Sequence, residues 1–250
     1  RPGAAIGMTL VGMDRTVQVC KRVMDVLGAG VGLALCAPLM PVIAAAVYLD
    51  NPGPILYGQV RVGRTSAEHL DLDHLPTFKM WKFRSMRVDA EKGKAQLASA
   101  NDDRITRVGK ILRKSRLDEL PQFWNVLVGD MSIVGPRPER PELVKTLSAV
   151  IPMFEERTRM VRPGITGLAQ VSLDYLGRIP ADSAIAHLKD TLVNPFKLEG
   201  VEDSIADDMR TKLLYDLAYA ARLEGFWSFL LTDLEIIVRT PFVMLSARGR

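Results

Sequence analysis

From Val26 to Leu49 the chain runs for 24 residues without a charged side chain, and Pro38 and Pro41 fall inside that run. Roughly 18–20 apolar residues is the length that crosses a bilayer as a helix. A buried core helix is the soluble alternative, and a signal peptide fits poorly because the run is long and lacks a cleavage site. Each proline removes a helical hydrogen bond and crowds the preceding turn. Both flanks are basic, with Lys21-Arg22 before and Arg61 and Arg64 after, and basic flanks favour the cytoplasmic side. A chain that enters, bends at Pro38 and Pro41 and returns to the same face satisfies both flanks. The sequence therefore predicts a re-entrant helical hairpin over residues 21–50, with a straight, kinked span as the alternative.

The remaining organisation follows from this segment. Residues 1–20 are expected to be a linker or the remnant of an upstream region, and residues 51–250 a domain on the face to which the hairpin returns. Apolar residues make up 48% of the 250-residue chain, and the net charge is +4, but the charge is unevenly placed. Arg104–Arg116 holds six Lys/Arg and no acid, whereas Glu199–Asp208 is acidic. A local basic patch calls for an anionic partner: phosphate, nucleic acid or anionic lipid. Cys20 and Cys36 have no metal-site spacing and offer no disulfide framework, so a reducing compartment is expected.

Along that domain, Ile55–Val62 and Phe78–Phe83 read as strands. The segment between them carries His69, Asp71, Asp73 and His74, a weak metal pattern with a solvated loop as the plainer reading. Val88–Ala100 reads as a helix, and Asn101–Asp103 is expected to cap the next helix, Arg104–Arg116. Glu142–Arg159 reads as helical and Arg162–Gly167 as a tight loop, followed by a short strand at Leu168–Ser172. A helix is predicted around Ala181–Val193 and another over Met209–Leu223. Phe226–Leu245 has apolar residues at helical spacing broken by Asp233, Glu235 and Arg239. It reads either as an amphipathic helix in a membrane surface or as an ordinary core-facing helix. The fold class is α/β, mainly helical with a small β-sheet element, the re-entrant pair and interfacial amphipathic helices.

The chemistry concentrates in Leu112–Arg140. Arg113, Lys114 and Arg116 precede two adjacent carboxylates, Asp118 and Glu119. Pro121 then suits the first turn of a helix over Gln122–Val128, and Arg137 lies in a Gly/Pro turn beyond it. Such charges can form no more than a surface salt-bridge cluster. Carboxylates, cations and a helix N-terminus together suit chemistry on a phosphate.

Several ordered motifs resemble the bacterial sugar transferases, the monotopic polyprenyl-phosphate phosphoglycosyl transferases: KRxxD (Lys21–Asp25), GPILYGQVRVG (Gly53–Gly63), KFRSM (Lys82–Met86), Arg104–Glu139, RPGITG (Arg162–Gly167) and YDLAY (Tyr215–Tyr219). The resemblance implies an enzyme on the cytoplasmic face of the bacterial inner membrane. It would move a sugar-1-phosphate from a nucleotide diphosphate sugar, usually a UDP-sugar, to polyprenyl (undecaprenyl) phosphate, giving a polyprenyl diphosphate sugar and UMP. This step starts exopolysaccharide, O-antigen, capsule or glycoprotein glycan synthesis. The resemblance also implies Mg²⁺.

Carried onto this sequence, the resemblance makes Asp118 the nucleophile of a covalent phosphosugar intermediate and Glu119 a magnesium or charge-handling partner. Lys82, Arg84, Arg113, Arg137 and Arg162 would hold phosphates, with Gln122 also on the substrate. Asp216 would be a further Mg²⁺ contact, or else a helix-surface partner of Lys212 at i−4. Three features depart from the pattern. Ala37 stands where many members have serine before the bend proline, and the Ser66–Thr77 and Asp174–Asp208 segments are expanded. The partners implied are a UDP-sugar, polyprenyl phosphate and the bilayer, with self-association left open. A nucleic-acid role is disfavoured because few aromatics accompany the cations. The reading from another class is a non-catalytic membrane-surface module that binds nucleotide sugar or anionic lipid.

Overall fold

The structure is a computed structural model, and it describes residues 13–66, 71–90, 102–173 and 205–245. The helix expected within 88–100 lies mostly outside this range, and the one around 181–193 entirely so, as does His69. Helix α1 spans Arg15–Cys36 and α2 spans Leu39–Asp50, with a 63° bend between them. The break falls at Ala37-Pro38. Pro41 sits in the first turn of α2, where a missing N–H costs nothing, so Pro38 alone interrupts the hydrogen-bond ladder. No single helix among the described residues is long and apolar enough to cross a membrane, but the bent pair together has that length and composition.

The two expected strands are present as β1 (Leu56–Val62) and β2 (Thr77–Phe83), and they pair antiparallel, with Leu56 opposite Phe83. Helix α3 spans Arg107–Ser115 and is capped by Thr106, whose hydroxyl accepts from Gly109 N at 3.0 Å. The cap expected at Asn101–Asp103 is thus displaced; Asp102 instead accepts from Arg104, its backbone N at 3.0 Å and its Nη2 at 2.6 Å. Helix α4 covers Gln122–Val128, as the sequence predicts. Two three-residue strands follow that the sequence does not announce. β3 (Ser132–Val134) pairs in parallel with β4 (Gly164–Thr166). The backbones approach so closely that a Cβ on Gly164 would lie 2.2 Å from Gly135 N, which is why this loop is glycine-rich. Leu168–Ser172 is a short helix, α6, and not the expected strand. Only the first part of Glu142–Arg159 is α-helical, as α5 (Pro141–Ser148). It ends before Met153, which turns the chain at positive φ into a 3₁₀ segment at Phe154–Thr158. Helices α7 (Ile205–Arg222) and α8 (Phe226–Leu245) close the chain.

The hairpin is built into the core through its polar residues. On α1 the buried positions are Val17, Lys21, Asp25 and Ala29, while Val19, Val23, Leu27, Val31 and Leu35 are exposed. Both sets recur every four residues, so each forms one stripe on a helix. The amphipathic order is inverted: charges face inward and large apolar side chains outward. Lys21 donates to Asp233 Oδ2 on α8 at 2.6 Å and to the Tyr219 hydroxyl on α7 at 2.8 Å. Arg22 donates at 2.6 Å to the carbonyls of Val126 and Leu127 at the C-terminus of α4, where a cation also suits the helix dipole. Asp25 accepts from Ser132 Oγ and Ile133 N of β3, both at 2.8 Å. The KRxxD motif is thus the fastening of α1 to four later elements.

Candidate active site

Asp118 and Glu119 lie in a single 3₁₀ turn, Leu117–Glu119, between α3 and α4. Arg116 ends α3 in the left-handed conformation (φ 58°) and swings the chain into that turn. Glycine is the usual residue at such a position. Here the side chain is used, since Arg116 Nη1 lies 3.8 Å from Glu119 Oε1. Arg116→Gly is therefore expected to leave the unfolding midpoint unchanged or raise it, while lowering kcat/KM about tenfold; a lowered midpoint with parental kcat/KM would contradict this.

Neither carboxylate caps α4, although the sequence places both at that helix start. Cations hold them instead. Glu119 Oε1 accepts from Lys82 Nζ and from Arg137 Nη2, each at 2.9 Å. Asp118 is 7% exposed and its Oδ1 has no hydrogen-bond partner. It faces a cavity of about 360 Å³ that Lys82, Arg84, Arg113 and Arg137 also line. Arg113 is aimed by its Nε donating to Ser85 Oγ at 3.0 Å. Gly109 makes this possible: a Cβ there would lie 2.0 Å from Ser85 O, so only glycine lets α3 pack down on the strand exit.

The two neighbouring carboxyls are driven apart. Burial, reinforced by the adjacent Glu119 charge, pushes the Asp118 carboxyl up against the pull of Lys82 and Arg113. Burial would raise Glu119 too, but the Arg137 and Lys82 charges outweigh it and hold the group well below the usual carboxylate range. Burial in turn pushes the Lys82 ammonium down, with the Glu119 charge opposing and Arg137 adding to the shift. The cations outnumber the carboxylates and crowd one another, so a further anion in the cavity relieves them. Pairs of titratable groups separated in this way mark reactive sites.

Other site residues are placed less uniformly. Arg84 lines the cavity, but its Nη2 donates to the Asn51 carbonyl at the hairpin exit, leaving Nε and Nη1 without partners. Gln122 is 1% exposed and lines no cavity around the dyad. Arg162 lines a separate cavity of about 350 Å³ with Arg22, Asp25 and Arg64, apart from the carboxylates. Among the described residues no three metal-binding side chains gather. Asp216 accepts from Arg157 Nε at 2.7 Å, so the expected metal ligand is the buried partner of an arginine. Arg157 Nη2 in turn donates to the Arg137 carbonyl at 3.3 Å, so Asp216 acts on the site by steadying the loop that presents Arg137.

Sequence reasoning missed Arg157, Ser85 and Asn125. Asn125 Oδ1 accepts from Trp81 N at 3.0 Å and its Nδ2 donates to Lys79 O at 2.8 Å, tying α4 to β2 and so Glu119 to Lys82. A lone amide in the apolar segment FWNVLV was the available signal.

A desolvated carboxylate at the edge of a cation-lined cavity, beside a second carboxylate that stays ionised, defines a site for nucleophilic chemistry on phosphate esters. The chain belongs to the bacterial sugar transferase family, whose family model matches residues 16–247. It is 46% identical over 229 residues to a UDP-N-acetylgalactosamine-undecaprenyl-phosphate N-acetylgalactosaminephosphotransferase of Aeromonas hydrophila, covering 92% of this chain and 44% of that protein. It is 39% identical over 224 residues to a UDP-glucose:undecaprenyl-phosphate glucose-1-phosphate transferase of Klebsiella pneumoniae, covering 90% of this chain and 40% of that one. Against a putative undecaprenyl-phosphate N-acetylgalactosaminyl 1-phosphate transferase of Bacillus subtilis the identity is 45% over 137 residues, covering 55% of this chain and 72% of the relative. The chain thus spans under half the length of the Aeromonas and Klebsiella relatives.

Proposed function

We propose that this chain transfers a sugar-1-phosphate from a UDP-sugar to polyprenyl phosphate by way of a phosphosugar ester on Asp118. The observation that carries this reading is Asp118, buried with an unpartnered Oδ1, on the wall of the cationic cavity. A carboxylate oxygen of Asp118 attacks the sugar-bearing phosphorus, a P–O bond forms, and the P–O bond to UMP breaks. The acceptor phosphate oxygen then attacks the same phosphorus and the Asp118 carboxylate leaves, so neither half needs an outside proton or electron. Lys82, Arg113 and Arg137 hold the diphosphate oxygens and blunt their repulsion from the carboxylates. Glu119 keeps Lys82 and Arg137 in place.

Magnesium is commonly bound by one or two carboxylates together with substrate phosphates, and the Asp118–Glu119 pair fits that pattern, with Asp118 Oδ1 free to receive a cation. The ion would supply charge neutralisation at the diphosphate.

The same reading places the chain at the inner membrane with its site on the cytoplasmic face, at the entry to polysaccharide or glycoconjugate synthesis. The inverted amphipathicity of α1 supports it, as does a second exposed apolar stripe on α8: Trp227, Leu231, Leu234, Val238 and Phe242. Contiguous exposed apolar surface of this kind suits contact with lipid. Two measurements test the proposal. The protein in nanodiscs with polyprenyl phosphate should release UMP from at least one member of a UDP-sugar panel that begins with the N-acetylgalactosamine and glucose compounds; no release from any of them would favour a binding module. With Cys20 and Cys36 replaced, single cysteines at positions 15 and 66 should both label from the cytoplasmic side. Labelling from opposite sides would mean a spanning helix.

A further inference from the structure

A second cavity, of about 280 Å³, opens on the other side of the carboxylate turn. Asp118 lines the first cavity and Glu119 the second, and Arg137 lines both. The second is walled mainly by apolar side chains: Leu120 and Phe123 from the α4 region, Ile165 of β4, Val171 of α6, and Ile237 and Val243 of α8. Its charged members are Glu119, the two arginines paired with it, Arg116 and Arg137, and Lys114. The α8 wall adjoins that helix's exposed face, where Val238 and Phe242 are 60% and 68% exposed.

We infer that this groove seats the phosphate-proximal isoprene units of the acceptor, with the acceptor's phosphate among Lys114, Arg116 and Arg137. The inference rests on the phosphoglycosyl transfer reading above and adds where, and by what, the lipid is recognised. Charge and polarity select the occupant. A nucleotide would leave the apolar walls unmatched, and a neutral lipid would make no use of a rim where three cations meet one carboxylate. An amphiphile with one phosphate on a branched hydrocarbon chain matches both. The volume lies just below the roughly 300–1,000 Å³ of small-molecule sites, which suits the first units of a long chain whose remainder runs along the exposed α8 face. The two cavities then meet at one turn, with Arg137 on both, so that the acceptor's phosphate can take the place opposite Asp118 that UMP vacates. The donor enters through the polar cavity and the acceptor through the apolar one, with Arg137 common to both phosphates.

Two experiments test the assignment. The first needs no catalysis. A diazirine-bearing polyprenyl phosphate, irradiated with the intact protein in nanodiscs, should crosslink within 237–244 or 164–171, and unlabelled polyprenyl phosphate should compete at least tenfold better than phosphatidylglycerol. Crosslinks confined elsewhere, or equal competition by the phospholipid, overturn the proposal. The second uses Val243→Trp, which narrows the groove. The ratio of kcat/KM for a long polyprenyl phosphate to that for a one- or two-unit prenyl phosphate should fall about tenfold; an unchanged ratio overturns it, and a misfolded variant would lose both rates together. Failure of the parent reading looks different: crosslinks in the groove without UMP release from any UDP-sugar leave the lipid site standing and remove the enzyme.

Discussion

Asp118→Asn is expected to lower UMP release by roughly 10³-fold or more while leaving the unfolding midpoint at or above that of the parent chain. The two halves of this expectation have one cause. Burial and the neighbouring Glu119 charge raise the Asp118 carboxyl, so the fold favours its protonated form. Its contribution to stability is full at acid pH, below the unfolded value, and is lost as pH rises through the raised folded value. Above the raised folded value the ionised group therefore opposes folding, and a neutral isostere removes that opposition along with the nucleophile. Glu119 has the opposite sign. Its folded value is depressed, so its contribution is present above the unfolded value and is lost as pH falls through the folded one. Glu119→Gln should accordingly lower the midpoint near neutrality, because it strands Lys82 and Arg137. The acid limb of kcat/KM should also lie above the usual carboxylate range, since Asp118 must be ionised to attack. UMP release at the parental rate in Asp118→Asn, or a midpoint lowered as in Glu119→Gln, would remove Asp118 from its assigned role.

The second large effect lies far from the chemistry. Lys21 and Asp233 are 6% and 2% exposed and stand 2.6 Å apart, with the Tyr219 hydroxyl donating to Asp233 Oδ1 at 2.8 Å. Removing one partner of a buried ion pair commonly costs about 3–5 kcal/mol, because the other charge is left buried without compensation. Lys21→Met should lose stability on that scale. The double variant Lys21→Met/Asp233→Leu should recover most of it, since two apolar groups of similar size leave no stranded charge. Thermal unfolding of the four proteins in detergent closes the cycle. Independent, additive losses would show that the pair is not coupled.

What the sequence made legible is uneven for physical reasons. The hairpin, β1, β2, α4 and α8 carry their own periodicity or breakers, so each could be read locally. β3 and β4 are three residues long, too short for alternation to register, and each exists only because the other lies alongside. Leu168–Ser172 carries the apolar content of a strand, yet it pairs with no strand among the described residues and forms a helical turn. The helix start moved from Asn101–Asp103 to Thr106 because Asp102 is committed to Arg104. Asp118, Glu119, Arg113 and Arg116 stand out as one cluster because they are close in sequence, whereas Lys82 lies 37 residues from Glu119 and enters only through the KFRSM motif. Arg162 and Asp216 were not legible, since their partners come from distant segments: Arg22 and Arg64 line the Arg162 cavity, and Arg157 holds Asp216. A motif can show that a charge matters without showing which charge answers it.

The fastening of α1 also orders events in time. Its lysine is made first, and the carboxylate that answers it lies 212 residues later. Closing so long a loop is entropically slow, and it must be complete before the contact rewards it. Until the ribosome has finished α8, the hairpin carries two ionisable side chains on the face destined for the interior, with no counterpart yet translated for Lys21. Helix α8 is in this sense the clasp of α1. A nascent chain halted before residue 226 would hold the bend but not its seating, and maturation of the site must wait for α8 to arrive.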